Sequence, residues 1–113
     1  MEGFIGQITL FAGTFAPQNW AFCEGQVLSV AQNPALFSIL GANYGGDGQT
    51  NFALPDLRGR APLQQGQGPG LPRVRLGQAE DVAKPTDAGN PPQFGTLGLN
   101  YIICINGIFP PRS

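Results

Sequence analysis

Histidine is absent from the 113 residues of this chain. That removes the commonest general base, the Ser-His and Cys-His nucleophile pairs, and most zinc sites. Charge is scarce too: six Lys and Arg stand against seven Asp and Glu, for a net charge of −1. Arg58 and Arg60 are near neighbours, as are Arg73 and Arg75, but no longer basic run exists. Binding a polyanion needs clustered Lys and Arg, so nucleic acid is not an expected partner. No apolar run approaches the ~20 residues of a membrane helix, so no membrane span is expected. Met1-Glu2 offers no basic n-region, and Ile5 to Ala16 is broken by Gln7, Thr9, Gly13 and Thr14. No signal peptide is therefore expected here.

The two cysteines, Cys23 and Cys104, lack the close spacing of a metal pair or a redox motif. Each lies in an apolar, strand-like run, which favours two buried thiols. A disulfide is the alternative, since closing so long a loop stabilises by about 4–5 kcal/mol in the chain-entropy picture.

What the chain does have is glycine (17) and proline (11), with 42% hydrophobic residues and eight Phe. Apolar residues in short runs between Gly/Pro punctuation read as many short strands rather than disorder. The length suits one domain. The expected fold class is α+β, mostly β: short strands, one short helix and long Gly/Pro-rich loops. Residues 1–60 would hold the N-terminal strands and helix, 61–98 a loop-rich segment, and 99–113 a C-terminal strand and tail, all within a single domain 1–113.

Near-period-two alternation predicts a strand over 4–12. Trp20–Cys23 and Gln26–Val30 read as two strand runs about Glu24-Gly25, a hairpin with Gly25 supplying positive φ. Asn33 as N-cap, Pro34 in the first turn and Gly41 as terminator frame a helix of about seven residues, too short to stand without docking. Leu36, Phe37, Ile39 and Leu40 form its expected apolar face. Asn43–Asn51 is a Gly-rich loop and Phe52–Leu54 a brief strand stopped by Pro55. Six prolines between 61 and 98 leave little room for regular structure there. Leu99–Ile105 is apolar on both faces and reads as a central strand, with Asn106-Gly107 as a turn before an extended tail.

Few patterns carry chemistry. Glu80-Asp81 are adjacent in a loop with no apolar context to raise a pKa. Gly45-Gly46-Asp47-Gly48 resembles a phosphate cradle superficially, but it leads into a strand rather than a helix bearing Lys-Ser/Thr. Oxygens of Asn43, Asp47 and Asn51 could hold a calcium ion, although a surface loop is the plainer reading. Pro55-Asp56-Leu57-Arg58-Gly59-Arg60 is the most distinctive segment. Asp56 can form an Asx turn, and Arg58 or Arg60 can pair with it, with Glu24 or with Asp47 to pin an irregular loop to the core. Trp20 is expected in the core; Tyr44, in the polar loop, is the aromatic expected to be exposed.

Several of these segments, taken in order, resemble the phage tail-collar family. They are Ile5-Gly6-Gln7-Ile8, Pro17 to Trp20, Phe22-Cys23-Glu24-Gly25-Gln26, Ala35 to Gly41, Tyr44 to Gly48, Asn51 to Arg60, Leu99 to Ile103, and Gly107 to Pro110. Within that family the chain resembles the microcystin-dependent-protein group. The resemblance implies short strands with one helix, in which Trp20, Cys23, Gly25, Pro55, Asp56, Arg58 and Arg60 are structural motif residues. It also implies a place in tail fibres, collars or tips, frequently as trimers, and brings no catalytic residues and no cofactor. Many relatives carry a longer, His-containing segment after the Arg-Gly-Arg region. Here residues 61–98 are short and lack His, so the metal-binding histidines of some relatives have no counterpart.

The expected function is therefore a non-enzymatic structural or adhesion protein of a phage tail or phage-derived particle, located on a virion tail or extracellular surface. Its partners would be copies of itself (trimer favoured, filament possible), other tail or particle proteins, and a cell-surface glycan. Recognition is expected on loop residues such as Asn43 to Asn51 and 64–96, with Asn43, Tyr44, Asp47 and Gln49 as the named receptor-binding residues, because loops vary while a scaffold holds. The alternative is a self-assembling subunit of a filament or tube that binds no receptor. An enzyme would need two carboxylates roughly 5–10 Å apart, drawn from Asp47, Asp56, Glu80 and Asp81.

Overall fold

The computed structural model describes residues 2–81 and 95–112. Five short strands and one helix run in the order β1 (Ile8–Phe11), β2 (Trp20–Phe22), β3 (Val27–Ser29), α1 (Pro34–Leu40), β4 (Asn51–Ala53) and β5 (Asn100–Cys104). Mostly short strands with one short helix is the expected class. The strands form two small antiparallel sheets, one ordered β1-β5-β2 and the other β3-β4.

The C-terminal strand takes the centre of its sheet, as its two apolar faces require. Ile8 to Phe11 pair with Ile103 to Asn100 on one side, and Trp20 to Phe22 pair with Cys104 to Ile102 on the other. Alternate residues then divide between the faces. Ile103 joins Ile5, Cys23, Leu36, Leu40, Phe52 and Leu54 in the main core. Ile102 and Cys104 face the opposite way and pack with Trp20 in a second, smaller cluster. Each fully buried side chain of this size contributes about 1.5–3 kcal/mol relative to exposure.

Two sequence expectations require correction. The expected strand over 4–12 is regular only from Ile8 to Phe11. Gly6 adopts φ +89°, and Gln7 N–H donates to the Phe4 carbonyl (2.9 Å), so the chain turns before the strand begins. Phe4 instead forms an isolated parallel bridge with Ile108 of the C-terminal tail. The runs around Glu24-Gly25 are both strands, but they are not a hairpin. The first pairs with β5 and the second with β4, so the chain crosses between sheets at Gly25. The positive φ of Gly25 (+74°) serves that crossing. Gln26 secures it from both ends, accepting from Glu24 N–H (3.0 Å) and donating to the Phe22 carbonyl (2.9 Å).

The helix runs from Pro34 to Leu40, with Leu36 and Leu40 buried and Ile39 on the exposed side. Phe37 packs on Phe52 with ring centroids 5.3 Å apart, docking the helix on β4. Gly41 closes it with φ +58° and an N–H to the Phe37 carbonyl. Asn33 stands at the N-cap position, but its side chain makes no cap; its amide donates to the Ser29 carbonyl (3.0 Å), tying the helix start to β3. Among the described residues of 61–98 there is no helix or strand, only a bridge between Gly66 and Val74. The rest of that segment lies outside the described residues.

Candidate functional site

Between α1 and β4 the Gly-rich loop is organised by one carboxylate. Asp47 Oδ1 accepts from the backbone N–H of Gln49, Thr50 and Asn51 at 2.8, 2.9 and 3.0 Å. Its Oδ2 accepts from the Thr50 hydroxyl at 2.8 Å. Asn51 Oδ1 reciprocates by accepting Asp47 N–H at 2.8 Å. These donors, the Asn51 N–H foremost, hold the Asp47 carboxyl well below the usual carboxylate range. Gly46 takes φ +89°, and a Cβ there would collide with the Phe52 backbone, so the loop can lie against β4 only with glycine at this position.

Asn43 Nδ2 donates to the Leu40 carbonyl (2.9 Å) at the helix end. Tyr44, expected to be exposed, is half-buried and packs against the main core, which raises its pKa by desolvation. Asn43, Asp47 and Gln49 are exposed. The oxygens of Asp47 and Asn51 considered for calcium already accept hydrogen bonds from their own loop. Among the described residues no cluster of three or more His, Cys, Asp or Glu is poised for a metal ion.

The Pro55–Arg60 segment is a clamp, as its residue types suggest. Asp56 forms an isolated bridge with Glu24, and Gly25 N–H reaches the carbonyl of the buried Pro55 (3.3 Å). Asp56 Oδ1 accepts Arg58 N–H (3.2 Å), the Asx turn. The Arg58 fork then grips both oxygens, Nε to Oδ1 at 2.9 Å and Nη2 to Oδ2 at 2.8 Å. These hydrogen bonds from Arg58 lower the Asp56 pKa to about 2. Arg60 donates to the Asp56 carbonyl (3.0 Å) and makes a second fork to Asp81, at 2.8 and 3.0 Å. Neither Glu24 nor Asp47 is a fork partner. The Arg60–Asp81 pair is the feature sequence reasoning missed, because nothing local marks which acid a chain fold will return to an arginine.

Trp20 and Cys23 lie in the two cores. Cys23 and Cys104 are both free and buried, and they belong to different clusters. Burial pushes the Cys23 thiol up to about 11.

Crossing strands, docked helix, Asp47-centred loop and Asp56 clamp all lie within residues 6–62, and that span matches the phage tail collar domain. The chain belongs to this family. It is 32% identical over 82 residues to the short tail fiber protein gp12 of Enterobacteria phage T4. The alignment covers 72% of this chain but only 15% of that much longer protein. Among the described residues no helix is long and apolar enough to cross a membrane.

Proposed function

We propose that residues 1–113 act as one non-enzymatic tail-collar module of a phage or phage-derived particle, assembling with copies of itself at a fibre tip, a trimer favoured, and with other tail proteins. Family membership supports the tail context. The observation that carries the assembly is the exposed β1 edge of an apolar sheet face. Ile8 and Leu10 lie opposite Ile103 and Tyr101 and so share their face. Ile103 is fully buried, yet Ile8 is 39% and Leu10 52% exposed. Phe4, Ile108 and Phe109, close to the same edge of the sheet, are also exposed. Exposed large apolar side chains gathered along one sheet edge suit an interaction site.

The same reading gives the module an adhesion role toward a cell-surface polysaccharide, with Asn43, Tyr44, Asp47 and Gln49 as the recognition surface. The internal hydrogen bonds of the Asp47 loop support this, because a preorganised loop loses little entropy on binding. One observation favours the second reading, a self-assembling subunit without a receptor. Asn43 Nδ2 and the Asp47 carboxylate already make hydrogen bonds inside the fold and Tyr44 is half-buried, which leaves these groups less to offer a receptor.

Light scattering after size exclusion, over a range of concentrations, tests the assembly. The expected result is a defined multi-chain mass that falls to one chain in the Ile8→Ser/Leu10→Ser variant. A monomer at every concentration overturns it. Retention of the wild-type chain on purified surface polysaccharide separates the adhesion role from the purely structural one.

A further inference from the structure

Beside Asn43 a cleft of about 560 Å³ opens, lined by Asn43, Arg73, Arg75, Leu76, Gly77 and Gln78. Its wall is built rather than loose. Val74 exchanges two backbone hydrogen bonds with Gly66, at 2.8 and 2.7 Å, which holds the segment extended. Arg73 and Arg75 flank Val74, and in an extended segment residues two apart project to one side. The next turn is closed by Gln78 N–H to the Arg75 carbonyl (3.0 Å) and by Arg75 N–H to Gln78 Oε1 (2.9 Å). Gly77, at φ +80°, lies so close to the Asn43 carbonyl that a Cβ would collide with it, fixing this wall to the end of the helix loop.

The electrostatics of the cleft differ from the rest of the chain. Arg58 and Arg60 are neutralised by Asp56 and Asp81. Arg73 and Arg75 face the cleft with no carboxylate partner for either guanidinium among the described residues. In a chain of net charge −1, two guanidiniums without a carboxylate partner among the described residues, against the single Glu80 carboxylate that Gln78 holds at 3.4 Å, make this wall locally positive. Their forks suit a planar or tetrahedral oxyanion in a bidentate grip. Asn43 keeps its Oδ1 for a hydroxyl beside the Nδ2 bond to Leu40, Gln78 adds an amide that also bonds Arg75 N–H and Glu80, and Leu76 adds an apolar side chain to the lining.

We infer that this cleft binds an acidic saccharide unit, its carboxylate or phosphate held by Arg73 and Arg75 and its hydroxyls by Asn43 and Gln78. The saccharide half rests on the adhesion reading above; the oxyanion half stands on the cleft alone. The site moves recognition from the loop crest to its flank and keeps Asn43 as the shared residue.

The test is a titration of the full chain, followed by backbone amide shifts, with glucuronate, glucose 6-phosphate, inorganic phosphate and neutral glucose. The expected result is shifts at residues 43 and 73–78 with both acidic sugars, weakened by added salt, and none with glucose. Arg73→Gln/Arg75→Gln, two exposed positions, should weaken acidic-sugar binding about tenfold or more while leaving the melting midpoint unchanged. Equal response to glucose, or acidic-sugar binding unaffected by the double variant, overturns the site. Inorganic phosphate binding as tightly as glucose 6-phosphate overturns the saccharide half. If the double variant still binds surface polysaccharide as wild type does, the cleft fails while the adhesion role survives. If the wild type binds glucuronate at the cleft but no surface polysaccharide, the cleft stands and the adhesion role fails.

Discussion

Arg60 reaches across 21 residues of chain to hold both carboxylate oxygens of Asp81, at 2.8 and 3.0 Å, while its remaining nitrogen donates to the Asp56 carbonyl at 3.0 Å. One guanidinium thereby fastens the far end of an irregular segment to the Pro55–Arg60 clamp. Two planar forks in series, Arg58 on Asp56 and Arg60 on Asp81, take the place that strand pairing would have in a regular region.

Breaking the outer fork should loosen that segment and leave the core alone. Asp81→Asn is expected to raise hydrogen exchange and protease cleavage within 61–81, with the melting midpoint nearly unchanged, because exposed ion pairs contribute little to global stability. Exchange at wild-type rates throughout 61–81 would show that the fork orders nothing.

The two loop carboxylates predict acid sensitivity. Asp47 and Asp56 are both held below the ordinary Asp value, by backbone and Arg58 hydrogen bonds respectively. Between the unfolded pKa, near 3.9, and the lower folded values, the unfolded chain binds more protons than the folded one. Stability therefore rises with pH through this window. Their contribution is fully present above about pH 4 and is lost as the pH falls toward about 2 for Asp56, and lower still for Asp47. Melting midpoints measured from pH 5 downward should fall, with a shallower slope in Asp47→Asn. An identical slope in that variant removes Asp47 from the account.

Glycine substitutions should separate strain from collision. At Gly59 a Cβ meets nothing within 4 Å, so Gly59→Ala is expected to cost only the left-handed backbone term, about 1–2 kcal/mol. Gly46→Ala meets the Phe52 backbone as well and should cost clearly more. Urea unfolding of the two variants decides between equal and unequal costs.

Both thiols should be silent in the folded chain. Cys23 is buried with its pKa pushed up to about 11, and Cys104 is fully buried with its Sγ 3.2 Å from the Asn106 carbonyl. At pH 8 a thiol reagent should label neither cysteine until denaturant is added, and then both. Prompt labelling of either in buffer would contradict its burial.

Much of the fold was legible in the chain. Pro34 and Gly41 bounded the helix because their constraints are local: a missing N–H tolerated in the first turn, and a positive φ at the end. Leu99–Ile105 read as a central strand because neither of its faces carries the polar alternation of an edge. The Asp56 Asx turn was equally readable, since its partner lies within two residues, whereas the local sequence leaves open the choice of Arg58 over Arg60 and of Asp56 over Glu24 or Asp47. Tyr44 departs from its local context: its polar neighbours suggest exposure, yet the loop folds back and packs it on the core.

By itself the sequence determined the element types, the small helix, the clamp and the lack of histidine chemistry, because each depends on a residue's own torsions or on neighbours a few positions away. Only the tertiary structure decided that the runs on either side of Gly25 part into different sheets, that Asp81 returns to Arg60, and that Arg73 and Arg75 share a cleft with Asn43. Those outcomes depend on which distant segments meet, and pairing between distant segments is selected by the packing of the whole chain rather than by any local preference.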